Sequence, residues 1–140
     1  TAEEEQSQLV TKKAGGDSTT LDSKNSFLSF NPNYWITIIK SFNSKKMKIT
    51  LAVQRIVSYS DLVKMAEEVK NSYGYFHDDN EKLYNVFRTL QTQFQLSLLS
   101  YTFKENYKKD MLAYMQSFMS ESEMAGIYDI IKNYPLLIKQ

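Results

Sequence analysis

The chain contains no cysteine. That absence excludes disulfide scaffolds, thiolate catalysis and cysteine-based zinc sites together, and it leaves the redox compartment open. Glycine is scarce, four in all, and only Gly15 and Gly16 adjoin, so there is no glycine-rich loop to cradle a phosphate. No G-x-S-x-G element surrounds any serine, and no EF-hand spacing of acidic residues is present. Charge of one sign is not in excess: the net charge is +1, too small for an overall field that draws in nucleic acid. No apolar run approaches the ~18 residues that a membrane-spanning helix takes. The chain begins at Thr1 rather than methionine, and "TAEEEQSQ" reads as the polar start of a mature exported protein whose signal peptide has been removed.

What the sequence does have is length and aromatic content. Its 140 residues make about one domain, large enough to bury a core without a metal or disulfide. Ten tyrosines and eight phenylalanines suit a core with wet edges or an exposed contact surface, because the tyrosine ring is apolar and its hydroxyl is not.

Residues 1–26 are polar and carry few large apolar groups. They cannot bury enough surface to offset their ordering entropy, and the expectation is a flexible arm. Residues 27–140 form the expected domain. Asn31 before Pro32 has the form of an N-cap followed by proline at the first helical position. This predicts a helix from Pro32 to about Phe42 with Trp35, Ile38, Ile39 and Phe42 along one side. Residues 44–57 fit strand and helix periodicity almost equally, and lacking a strand partner nearby they are read as helix. Ser60 and Asp61 open the next helix, with Leu62, Met65, Ala66 and Val69 on its apolar face and Gly74 as its stop. Asp79 or Asn80 caps a run in which Leu83, Phe87, Leu90, Phe94, Leu98 and Tyr101 make one stripe over roughly five turns. Tyr107, Met111, Tyr114, Met115 and Phe118 continue that register, and a break is expected within "YTFKENYKKD" so that the chain can turn back. Ser120 and Glu123 form the capping-box pattern S-x-x-E and start the last helix at Glu121. Met124, Ile127, Ile130 or Ile131 and Tyr134 form its buried side. The fold class is therefore all-α, an irregular bundle of five or six helices behind the arm.

Few residues suggest chemistry. His77 is the only histidine, and with Asp78 and Asp79 it could form a metal site or acid–base pair. Adjacent residues cannot all address one centre, however, and an aspartate there serves equally well as a helix cap. Glu67 and Glu68 are neighbours in a helix and project in different directions. No catalytic residue, cofactor or resident metal is assigned.

Three surfaces stand out. Lys40, Lys45, Lys46, Lys48 and Arg55 lie near Trp35, a combination suited to anionic lipid headgroups or single-stranded nucleic acid; Lys104, Lys108 and Lys109 form a second basic group, diluted by Glu105 and Asp110. Met111, Met115, Met119 and Met124 could make an adaptable partner groove, or simply fill the core. Leu136, Leu137 and Ile138 are consecutive, so one helix face cannot hide them all; they either wrap back over the bundle or mark a partner surface.

In the C-terminal third, "KKDMLAYMQSFMSESEMAGIYDIIKN" resembles a family of exported bacterial all-helical domains of uncharacterised function. The family shows a helix, then F-[ST]-x-x-E-[LM], then a helix with a central aromatic. The matching positions are Phe118, Ser120, Glu123, Met124 and Tyr128, with Ser120 and Glu123 one residue later than in the family form. The resemblance implies a periplasmic or secreted helix bundle. The expected function is thus an exported, non-enzymatic helical binding protein acting through a protein partner or self-association. One alternative is a peripheral binder of anionic membrane lipids through the lysine cluster, and another is an enzyme or metal site at His77-Asp78-Asp79. A nucleic-acid role ranks below these.

Overall fold

The helices of this chain are set by where its backbone amides find acceptors at each helix start. In the computed structural model, residues 27–43, 58–73 and 80–137 are described. A single 3-10 turn, Leu28–Phe30, leads into α1 (Tyr34–Asn43), followed by α2 (Tyr59–Asn71), α3 (Asn80–Thr89), α4 (Gln93–Tyr107), α5 (Met111–Gln116) and α6 (Glu121–Ile131). The fold is all-α, six helices with no strand among the described residues. The arm expected over residues 1–26, the ambiguous stretch 44–57 and the His77-Asp78-Asp79 loop lie outside the described residues.

Helix α4 is the centre of the bundle. It packs against α1, α2, α5 and the 3-10 turn, while α3 packs against α2 and α6. From Gln93 to Ser100 every residue of α4 is buried, including Gln95, Ser97 and Ser100. A helix buried on all sides has no polar face to mark its phase. Gln95 and Ser97 use their polar groups internally, whereas the Ser100 hydroxyl is buried without a hydrogen-bond partner among the described residues. The Ser97 hydroxyl donates to the Asn31 carbonyl at 2.7 Å and accepts from the Trp35 amide at 2.8 Å, which docks the start of α1 onto α4.

Three helix starts differ from expectation. Helix α1 begins at Tyr34, not Pro32, because Asn31 Oδ1 takes the Asn33 amide and the Asn31 carbonyl takes the Tyr34 amide, making a tight turn before the helix proper. The cap of α2 is Ser58, whose hydroxyl accepts from the Asp61 amide while the Asp61 carboxylate accepts from the Ser58 amide. This reciprocal pair starts the helix one residue before Ser60. The run from residue 80 to 119 breaks twice. The expected break occurs at Lys108–Asp110, where Lys108 takes a left-handed conformation (φ 58°) and its amide donates to the Lys104 carbonyl. A second break falls at Leu90–Thr92. Thr92 caps α4 by accepting from the Gln95 amide at 3.1 Å, and the Gln95 side chain reaches back to the Gln91 amide at 2.7 Å.

The expected stripe nevertheless faces inward on both helices. Leu83, Phe87, Leu90, Phe94 and Leu98 are buried, whereas Tyr101 is 39% exposed. Met111, Met115, Met119 and Met124 are all core residues, so the methionines fill the interior rather than line a groove. The last helix starts at Glu121 as expected, with the Ser120–Glu123 capping box formed in both directions. Met124, Ile127, Ile131 and Tyr134 are buried. Within α6, Gly126 leaves room for α3 to approach, since a Cβ there would lie 3.0 Å from the Tyr84 hydroxyl.

After α6 the chain folds back over the junction of α3 and α4. Gln93 and Phe94 supply the first two amides of α4, which have no acceptor within their own helix. They donate to the carbonyls of Pro135 (2.9 Å) and Leu136 (3.3 Å). The Gln93 side chain donates to the Tyr134 carbonyl at 3.1 Å, and the Tyr134 hydroxyl donates to the Phe87 carbonyl in the last turn of α3. One short segment therefore closes the end of one helix and the beginning of the next.

Candidate functional site

Tyrosine and lysine side chains converge where α2 ends beside α5. The last carbonyls of α2 lack intrahelical donors, and the fold supplies three. The Ser72 hydroxyl donates to the Glu68 carbonyl (2.8 Å), the Ser72 amide to the Val69 carbonyl (3.2 Å), and the Tyr114 hydroxyl to the Lys70 carbonyl (2.7 Å). The last of these bonds crosses from α5 and fixes the Tyr114 ring against the end of α2. Tyr114 in turn meets Phe103 (5.3 Å between centroids), Phe118 (5.5 Å) and Tyr73 (6.1 Å). Tyr73 stands edge-on to Phe118 at 5.6 Å, yet 62% of it is exposed. The pairs lie within the separations at which aromatic rings attract.

Two ammonium groups border the same ring. Lys70 Nζ, from the last turn of α2, and Lys109 Nζ, from the turn before α5, each lie 5.4 Å from the Tyr114 centroid, and Lys70 Nζ is also 5.8 Å from the Tyr107 ring. At these distances the ring quadrupole attracts a cation. Among the described residues no carboxylate lies within ion-pair distance of Lys70 or Lys109; the ion pairs are Arg88–Glu81 and Lys132–Asp129. Asp110 is close by, but its carboxylate accepts from the Ala113 amide at 2.9 Å as the cap of α5. The left-handed turn at Lys108 is what brings Lys109 to this edge.

Together Lys70, Tyr73, Lys109, Asp110, Ala113, Tyr114 and Ser117 line a cleft of about 520 Å³ that is open to solvent. Burial pushes the Tyr114 phenol up from its ordinary value, reinforced by the neighbouring Tyr73 and Tyr107; Tyr107 is raised by burial and by Glu67. These phenols therefore stay protonated at neutral pH and serve as donors rather than bases. The cleft offers two cations, one carboxylate at Asp110 and an exposed aromatic side chain at Tyr73.

The residues singled out in the sequence are distributed differently. Lys40 is exposed in the last turn of α1. Trp35 is half-buried, its indole edge-on to Tyr101 at 5.8 Å and its Nε1 out of contact with solvent. Five positions apart on one helix, the two point roughly 140° from each other. Lys45, Lys46, Lys48 and Arg55 lie outside the described residues, as do His77, Asp78 and Asp79. Leu136 and Leu137 pack half-buried against the core, and Ile138 is outside the described residues. Among the described residues no group of three or more histidine, cysteine, aspartate or glutamate side chains could hold a metal, and no described helix is long and apolar enough to cross a membrane. The cleft itself was only half visible in the sequence. Lys109 stood out within the second basic group and Tyr114 within the helical stripe, but Lys70 and Tyr73, some forty positions earlier, join them only through the packing of α5 on the end of α2.

Comparison of the chain with protein-family models, with curated proteins and with solved structures gives no match.

Proposed function

We propose that this chain is an exported, non-enzymatic binding protein that engages a protein partner through the cleft between the end of α2 and α5. The observation that carries the reading is Tyr73, a large aromatic side chain that is 62% exposed beside a cleft bordered by lysines without carboxylate partners among the described residues. Tyrosines in such settings are the residues on which protein interfaces concentrate their binding energy, because a rigid ring contributes much area for little lost entropy. The cleft's size lies in the range of ligand sites, but its openness could not enclose most of a small molecule's surface. A segment of a larger partner fits better. Export rests on the resemblance of the C-terminal third to exported helical domains.

The test compares wild type with Tyr73→Ala, a change at a largely exposed residue that also removes ring contacts to Phe118 and Tyr114, so folding of the variant is checked by circular dichroism. Each immobilised protein is exposed to an extract of the source cells and to the surrounding medium, and the retained proteins are quantified by mass spectrometry. A protein retained at least about 10-fold more by wild type than by the variant, as loss of a central tyrosine entails, supports the reading. Identical recoveries overturn it.

A further inference from the structure

Resting on that reading of the cleft, we infer that its occupant is an acidic peptide segment carrying an aromatic or aliphatic anchor. The charge pattern decides the sign. Lys70 and Lys109 are both held over Tyr114, and among the described residues neither has a carboxylate within ion-pair range. The acid of the lining, Asp110, is committed to the Ala113 amide. A bound segment therefore meets two lysines that have no ion-pair partner among the described residues and one carboxylate turned to the start of α5, a lining of net positive charge that favours an acidic segment over a basic one. The apolar component follows from the exposed ring of Tyr73 and from Ala113 and Tyr114 beside it in the cleft lining, against which a ring or branched aliphatic side chain would pack.

The number of cations argues against the other anionic partners. Nucleic acid is held by contacts to many phosphates, on the order of six to ten for a duplex-binding protein. Anionic membranes are read by clusters of about four to eight basic residues on a surface that can lie flat. The lining holds two lysines, and the exposed Lys104 and Lys108 nearby are interspersed with Glu105 and Asp110, so the surface matches neither footprint. The two lysines do match one or two carboxylates flanking a single inserted side chain. Lysine, with a compact charge and no planar fork, imposes little geometry on the acid it meets, so aspartate and glutamate should serve alike.

The test is selection of a phage-displayed random dodecapeptide library on the intact protein, repeated on Tyr73→Ala and on the double variant Lys70→Gln, Lys109→Gln. Folding of each variant is checked by circular dichroism. The expected result is enrichment of peptides with aspartate or glutamate near an aromatic or large aliphatic residue. Their affinity should fall about 10-fold or more in both variants, and should weaken about as much in wild type when salt rises from roughly 0.05 to 0.5 M. Selected peptides that are neutral or basic but still depend on Tyr73 overturn the acidic occupant and leave the cleft reading standing. No enrichment, or enrichment indifferent to Tyr73, overturns both. Binding of phosphatidylserine-containing vesicles or of an oligonucleotide that is lost in the lysine double variant also overturns the peptide assignment.

Discussion

Two tyrosine hydroxyls do similar work at different places in the molecule. Tyr114 donates to the Lys70 carbonyl at the end of α2, and Tyr134 donates to the Phe87 carbonyl at the end of α3. Each supplies a donor to a carbonyl that its own helix cannot satisfy, and each does so from a distant helix or tail. Tyr134 is the more buried, and burial pushes its phenol well above the ordinary tyrosine value of 10.0. Its removal should be costly, because a buried acceptor would be left without a donor. Tyr134→Phe should lower unfolding stability by about 1–3 kcal/mol at neutral pH, measured by urea denaturation. The pH dependence has a definite sign. The phenol is raised in the folded state, so its contribution is complete below about pH 10 and is lost as pH rises further. Wild-type stability should fall above about pH 10 with a slope of up to ~1.4 kcal/mol per pH unit from this residue, and the phenylalanine variant should show a flatter fall. Equal slopes in the two proteins would rule out Tyr134 as the source.

At the scale of elements, caps decide where helices begin, and the two kinds of cap in this fold should differ in worth. Ser58 caps α2 in an exposed position, where water can take over the Asp61 amide. Thr92 caps α4 from a fully buried position. Ser58→Ala should cost about 0.5–1 kcal/mol and Thr92→Val about 1–2 kcal/mol, compared by the shift of the urea midpoint. If Thr92→Val proves the milder change, the cap is not what starts α4. The same contrast explains what could be read from the sequence. Ser120 and Glu123 announced α6 because a polar cluster precedes an amphipathic run. Thr92 and Gln95 present the equivalent T-x-x-Q pattern, yet the break they mark was masked by the three-and-four spacing of Leu83, Phe87, Leu90, Phe94 and Leu98, which continues unbroken across it. That continuity arises because α3 and α4 both turn those residues toward one core. Likewise the cap at Ser58 hid behind Ser60, two serines that look alike until the Asp61 carboxylate shows which amide it returns to. The all-α class, the final helix and the turn near Lys108 followed from local pattern, whereas the cleft did not, since Lys70 and Tyr114 meet only after α2 and α5 have packed.

For the whole molecule, among the described residues, the first half of α4 is fully buried with α1, α2 and α5 packed against the helix, and the other helices each keep an exposed face. Local opening costs least where backbone hydrogen bonds face solvent and most where they are enclosed. Amide hydrogen exchange should therefore be slowest in α4 between Leu96 and Phe103, approaching the global unfolding free energy. It should be distinctly faster in α5, a short helix with an exposed face. Exchange in α5 as slow as in α4 would contradict this ordering. The cleft then sits on one of the less stable elements, with Ala113, Tyr114 and Ser117 on or just past α5 and Lys70 and Tyr73 at the end of α2.

The closing of α4 by the carbonyls of Pro135 and Leu136 has a bearing on synthesis. At about 5–20 residues per second, the stretch between Phe94 and Leu136 takes roughly 2–8 s to be made. During that interval the first two amides of α4 lack their final acceptors, although α1, α2 and the 3-10 turn that pack against the helix precede it in the chain. A chain that stops before Tyr134 would lack both the acceptors for the first two amides of α4 and the donor for the Phe87 carbonyl, so residues made after both helices are the ones that lock the α3–α4 junction.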